Sequence, residues 1–206
     1  MTSPVNPGMV EWSGDNPGIY LKNAGGAWTA LAVYFRVVTS PHGTGIGSIV
    51  LGAPATGSGY PSAPNVCISS NEPLMRYLVA NFVSRFASFR AMAGLEAMTY
   101  QALIAHETSG DGRTFHQESL RSRDAAIVMR WDDLGPPFAV DVQPSMSATG
   151  QHEMYSVFLE ARRGTITLNG DRLPGEIIQR DFLDRRMSTA FLAFSETWLK
   201  PPAGAA

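Results

Sequence analysis

Apolar and polar residues alternate with a period of two along most of this chain, the spacing of half-buried β-strands. The stretch AWTALAVYFRVVTS, residues 27–40, is rich in β-branched and aromatic residues and stops at Pro41, which predicts one long strand. Ile49-Val50-Leu51 and Val66-Cys67-Ile68 predict short strands on either side of the loop GAPATGSGYPSAP. From about residue 97 the strand-like text resumes. MTYQALIAHETSGDGRTFHQESL reads as two extended runs around the turn Ser109-Gly110-Asp111-Gly112. DAAIVMRW, FAVDV, MYSVFLEAR, TITLNGDRLPG and MSTAFLAFSETWL continue the pattern, and Asn169-Gly170 is a strong two-residue hairpin signal.

One segment has a different period. In NEPLMRYLVANFVSRFASFR, Leu74, Leu78, Phe82, Phe86 and Phe89 recur at spacings of three and four and share one helical face. Asn71 suits the N-cap, Glu72 the positive helix end and Pro73 the first turn. The expected fold is therefore a β-rich α+β domain. Its antiparallel sheet curls into a barrel-like or sandwich arrangement, with one long amphipathic helix near residues 71–90. The expected layout is an irregular arm over 1–17, a single β-rich domain over 18–200 and a flexible tail over 201–206.

Composition narrows the class. The chain has 206 residues, enough for a sizeable core, with 44% hydrophobic and 17% charged residues, a globular balance. A formal net charge of −2 gives no continuous basic surface, so nucleic acid is not an expected partner. No apolar run approaches the length needed to span a bilayer, and no leader pattern opens the chain, so no membrane partner is expected. Cys67, the single cysteine, fits a reducing compartment and a buried packing role, pointing to a cytoplasmic location.

The glycine-rich stretch Gly43-Thr44-Gly45-Ile46-Gly47-Ser48 resembles a phosphate cradle only in spacing. No helix follows it directly and it holds no lysine, so it reads as a turn or a place of close backbone approach. No nucleotide or other cofactor is expected.

Histidine–carboxylate pairs are the main candidate chemistry. Three of the four histidines have a glutamate close by, in His106-Glu107, His116-Gln117-Glu118 and His152-Glu153. On a strand His116 and Glu118 share a face. A two-residue turn at Asp111-Gly112 would set Glu107 opposite His116, giving an acid–base group of His116, Glu118 and Glu107. A three-residue turn would instead set His106 opposite His116, a possible metal half-site with Glu118. In both registers the plain alternative is a wet face with charges paired across it. His152 joins only if its strand lies nearby, and Asp141, alternating with Val140 and Val142, matters only if its face lines a cavity.

QRDFLDRR, residues 179–186, supplies Arg180 and Asp181 as candidate ligand contacts, or as members of an ion-pair cluster at a barrel rim. With the preceding GTITLNGDRLPG it resembles a segment of lipocalin-like proteins related to carotenoid hydratases, where an Arg-Asp pair follows a glycine-containing hairpin. Phe182, Leu183 and Asp184 stand where that segment continues with a His-Ser-Trp-Gly type sequence, and no activity is carried over.

Signatures of serine hydrolases, zinc proteases, dithiol enzymes and phosphate-loop proteins are missing. The expected function is binding of a small apolar or aromatic molecule inside the curled sheet, with cofactor-independent acid–base catalysis at His116, Glu118, Glu107 and His106 as its enzymatic form. The alternatives are a non-catalytic oligomeric or protein-interaction module, homo-oligomeric through its arm and tail, and a metal-dependent β-barrel enzyme.

Overall fold

The computed structural model describes residues 8–202. The first half of the chain contributes β1 (Met9–Asp15), β2 (Gly18–Lys22), β3 (Trp28–Thr39), β4 (Gly45–Leu51), β5 (Asn65–Ser69), α1 (Glu72–Asn81), α2 (Ala93–Ala97) and β6 (Thr99–Ala102). The second half adds β7 (Ala105–Gly110), β8 (Phe115–Arg121), β9 (Ala126–Leu134), β10 (Phe138–Val142), β11 (Glu153–Leu168), β12 (Asp171–Arg172), β13 (Gln179–Phe182), β14 (Arg185–Ser188) and β15 (Ala190–Lys200). All but β13 and β14 belong to one sheet, whose main path runs β6-β5-β4-β3-β1-β15-β11-β9-β8-β7. Its two ends, β6 and β7, are consecutive in the chain and are joined through residues 103–104. The Leu103 amide donates to Ser69 and the Ile104 amide to Arg121, so the connection bonds to both flanks of the curled sheet. Among the described residues, no helix is long and apolar enough to cross a membrane.

The curl creates two cores, and β3 separates them. Leu31, Val33, Phe35 and Val37 face a core roofed by α1, while Ala30, Ala32 and Tyr34 face a second core closed by β8, β9 and the far half of β11. A strand buried on both faces must be apolar at nearly every position, which explains the unbroken LAVYF run. The sixteen-residue β11 serves both cores: its first half pairs with β10 and β15, its second with β9 and β12. It unites two runs that read as separate strands. At Asn169-Gly170, both with positive φ, the chain makes the expected tight hairpin into β12.

The helical segment begins as its sequence predicts. Asn71 caps it, accepting from the Leu74 amide at 3.1 Å, and its side-chain amide donates to the carbonyls of His42 and Thr44. Gly45 and Gly47 lie inside β4, where a Cβ would press on Asn71 and Leu74 or on Met75. Those glycines bring α1 down onto the sheet, while Gly43, at φ +82°, makes the turn. The regular helix is shorter than the apolar repeat. It ends at Phe82 (φ −126°, ψ −62°), followed by a single 3-10 turn at Val83–Arg85 and irregular chain up to α2. Phe82 packs against Trp12, Tyr77, Trp198 and His152 with ring centroids 5.2–5.9 Å apart, and seating it there overrides the local helical preference.

The irregular arm expected over 1–17 is corrected for Met9–Asp15, which form β1 between β15 and β3. The strand is bulged, which hides its alternation, and it depends on Gly14, where a Cβ would overlap the Arg36 carbonyl. Residues 1–7 of that arm, and residues 203–206 of the expected tail, lie outside the described residues. Replacing Gly14 by Ala should push β1 off β3 and cost about 1–3 kcal/mol, the usual penalty of overpacking, measured by chemical denaturation.

Candidate functional site

A β-bulge in β15 shapes one wall of a cavity on the helix side of the sheet. Across β11 the register steps from Val157↔Phe194 to Tyr155↔Thr197, so β15 carries an extra residue, and Ser195 adopts φ +53°. Phe191 and Ala193 face the helix-side core before the bulge; Trp198 faces it, and Glu196 is buried with it, after the bulge. Strict alternation would have sent Glu196 to the opposite face. Asp15 holds the bulge: its carboxylate accepts from the Ser195 amide (3.1 Å) and from Arg36 Nε (2.7 Å).

The cavity has a volume of about 310 Å³, at the small end of the usual range for ligand sites. Tyr20, Phe158, Phe191 and Trp198 wall it from the sheet, and the 86–88 and 146–148 segments close two sides. The β13–β14 hairpin covers it, contributing Arg180 and Phe182 from its inward face. Glu160 fastens the base of this flap, accepting from Gln179 Nε2 at 2.7 Å and the Ser188 amide at 2.8 Å. Two exposed apolar side chains, Met146 and Leu183, stand at the cavity edge.

Arg180 and Glu196 are the charged or titratable groups on the walls of this space, which Asn16, Ser88 and Ser147 also line, with Asp181 at its rim. The Arg180 guanidinium lies 5.4–5.5 Å from the ring centres of Tyr20, Phe182 and Phe191. Its Nε is enclosed without a hydrogen-bond partner, and Arg180 forms no ion pair among the described residues. Its neighbour Asp181 points outward, 4.0 Å from Arg186. Glu196 is buried, and Oε1 accepts from Trp198 Nε1 (2.6 Å) and Asn16 Nδ2 (3.1 Å). Burial pushes its carboxyl up to about 7; the two donors oppose the rise, and the Asp15 charge adds to it.

The histidine hairpin adopts neither expected register. Gly110 pairs with His116, Thr108 with Glu118 and His106 with Leu120. The cause is Asp111, whose carboxylate accepts from the amides of Arg113, Thr114 and Phe115 and from the Thr114 hydroxyl, winding a longer loop than a two- or three-residue turn. Glu107 consequently falls opposite Ser119, on the outer face and exposed, and leaves the proposed group.

His106, His116 and Glu118 do converge. His106 Nε2 lies 2.7 Å from Glu118 Oε2, His116 Nε2 lies 2.8 Å from Oε1, and the Thr108 hydroxyl donates to Oε2. A carboxylate only accepts, so Nε2 carries the proton on both rings. Burial pushes Glu118 upward, but hydrogen bonds from His116, His106 and Thr108 outweigh it and hold the carboxyl below its ordinary value. His106 also stacks on Tyr34 (5.6 Å), whose hydroxyl is 3.2 Å from Nε2. This cluster ties the β7–β8 hairpin to β3 across the second core, and none of its members lines the cavity.

The remaining candidates lie apart. His152 is buried against Phe82 and Trp198 in the helix-side core, its Nδ1 2.9 Å from the Thr149 hydroxyl. It therefore does not join His106, His116 and Glu118; those three do converge, as a metal-dependent enzyme would require, but both imidazoles point Nε2 at the one carboxylate, and among the described residues no group of three or more His, Cys, Asp or Glu is arranged to hold a metal ion. Burial lowers the basicity of His152. Asp141 faces outward on β10, near Gln143, with its carboxyl raised by burial and by the charge of Glu153. Comparison with protein-family models, with curated proteins and with solved structures finds no match.

Two pH dependences follow. Below about pH 4.5 folded and unfolded chains both hold the Glu196 proton; between 4.5 and 7 only the folded chain does, so stability falls as pH rises through that window. Glu196→Gln should remove this slope and leave the variant the more stable protein at pH 8, read from urea midpoints across pH. Glu118 has the opposite sign, its stabilisation being present above the ordinary carboxyl range and lost as pH falls through the lowered value. Glu118→Gln, which sets an amide donor against ring N–H groups, should cost about 1–3 kcal/mol at neutral pH and progressively less in acid.

Proposed function

We propose that this protein binds a small, largely apolar or aromatic molecule in the cavity beneath the β13–β14 flap. One observation carries the reading. Four aromatic side chains of the sheet wall the cavity, while the flap brings a guanidinium whose enclosed Nε has no hydrogen-bond partner. Aromatic walls supply non-directional affinity, and a few fixed polar groups supply orientation. The Phe86–Ser88 and Met146–Ala148 segments add two further sides to the cavity, which stays open to solvent along the rim that carries Met146 and Leu183.

Acid–base chemistry on the bound molecule is the second reading, favoured by Glu196. Its carboxyl lies on the cavity wall and, with a pKa near 7, exists in both protonation states at neutral pH. On this reading the proton-transfer group is Glu196, and the His106–Glu118–His116 cluster maintains the fold.

Trp198 lines the cavity, so its fluorescence reports occupancy. A neutral aromatic probe such as naphthol should quench it saturably at one site. Ala148→Trp, at the exposed cavity edge, should abolish that binding without shifting the unfolding midpoint. Absence of saturable binding, or binding unaffected by Ala148→Trp, refutes the cavity as the site. For the second reading, wild-type protein at neutral pD should speed deuterium exchange at the acidic C–H positions of a bound aryl ketone. Glu196→Gln should bind the ketone and lose the exchange.

A further inference from the structure

We infer that the cavity selects monocarboxylates: the ligand's carboxylate pairs with the Arg180 guanidinium while its apolar body lies on Tyr20, Phe158, Phe191 and Trp198. This assignment rests on the cavity being the binding site and goes further by naming the ligand's head group.

The argument starts from the surroundings of Arg180. Arginine donates five N–H groups in a planar fork, and burying part of that fork without acceptors is costly. The rings of Tyr20, Phe182 and Phe191 offset some of the cost through their faces but accept no strong in-plane hydrogen bond. The other arginines of the hairpin stand at the surface, Arg186 4.0 Å from Asp181 and Arg185 3.7 Å over the Phe138 ring, whereas Arg180 has its Nε enclosed without a hydrogen-bond acceptor. Among these arginines Arg180 alone lines the cavity, and Asp181, the adjacent carboxylate, stands at the rim with its side chain largely exposed toward Arg186. A planar carboxylate entering the cavity would supply the acceptors in the geometry the fork favours.

The charge count sets the valence. Arg180 is the only basic side chain among the residues lining the cavity, and two carboxyl groups line it as well, Glu196 on the buried wall and Asp181 at the exposed rim, 4.0 Å from Arg186. A phosphate-like dianion would face one cation and two carboxyl groups. A monoanion is neutralised by Arg180 alone, provided Glu196 keeps its proton. The groups that act on Glu196 are Asp15 from β1, with Asn16 just beyond it, and Trp198 on its own strand; the Glu196 charge bears in turn on Tyr20 from β2, and Arg180 and Asp181 of the flap share the cavity lining with it. Asp15 opposes ionisation of Glu196, and an anionic ligand would oppose it further, so carboxylate binding should be accompanied by proton uptake above pH 7.

The test compares naphthoate, phenylbutyrate and octanoate with their carboxamides by calorimetry, in buffers of different ionisation enthalpy. Wild-type protein should prefer the carboxylates by about tenfold or more, with proton uptake at pH 8 that Glu196→Gln abolishes. Arg180→Met, which keeps the contact with the rings, should erase the preference by weakening carboxylate binding while carboxamide binding stays unchanged. Retained carboxamide binding by that variant also shows that it is folded. Equal binding of the two series by wild-type protein, or equal loss of both in Arg180→Met, overturns the head-group assignment and leaves the cavity reading standing. Preference for the matching amines would overturn it too, making Glu196 the charged partner. Failure of every probe to bind overturns both.

Discussion

The Asp15 carboxylate is the constraint on which the helix-side half of this molecule depends. One oxygen accepts from Arg36 on β3 and the other from the Ser195 amide on β15, so a single buried side chain joins three strands and stabilises a left-handed residue that is not glycine. The resulting bulge changes the phase of β15 halfway along its length. Phe191 and Ala193 reach the helix-side core from one segment of the strand, and Trp198 with Glu196 from the other. Without the extra residue Trp198 would leave the aromatic cluster of Trp12, Phe82 and Phe86, and Glu196 would leave the cavity wall.

Two buried carboxyl groups illustrate how local donors decide between a structural charge and a labile proton. Glu118 receives donors on both oxygens, from two imidazoles and a hydroxyl, and its charge is worth more inside than its burial costs. Glu196 receives both of its donors on one oxygen and has Asp15 as a negative neighbour, so burial prevails and the proton stays. The same residue type therefore makes a stable cross-core tie in one place and a titrating cavity wall in the other. The two sites sit in opposite cores, separated by β3.

Much of the architecture is legible in local pattern. The unbroken apolar run of β3, the Asn169-Gly170 turn and the Asn71 cap follow from sterics and periodicity that a short window contains. The pairing of His116 with Glu118 is legible for the same reason, since residues two apart on a strand share a face. Glu196 is not legible, because period-two reading assigns it to the wrong side and nothing in FSETW announces a bulge.

Sequence by itself determined that this chain makes a strand-rich sheet with one helical segment, and that His116 and Glu118 share one face of a strand while Arg180 and Asp181 are candidate ligand contacts or rim ion pairs. Tertiary structure alone decided which of them meet. Asp111 drew in four donors and so lengthened the hairpin loop, exchanging Glu107 for His106 at the side of Glu118. Asp15 held a bulge 180 residues away in sequence and so brought Glu196 into the cavity that Arg180 covers. Register and bulges are settled by side-chain hydrogen bonds and packing between distant segments, and a one-residue difference in either reverses which face a side chain occupies.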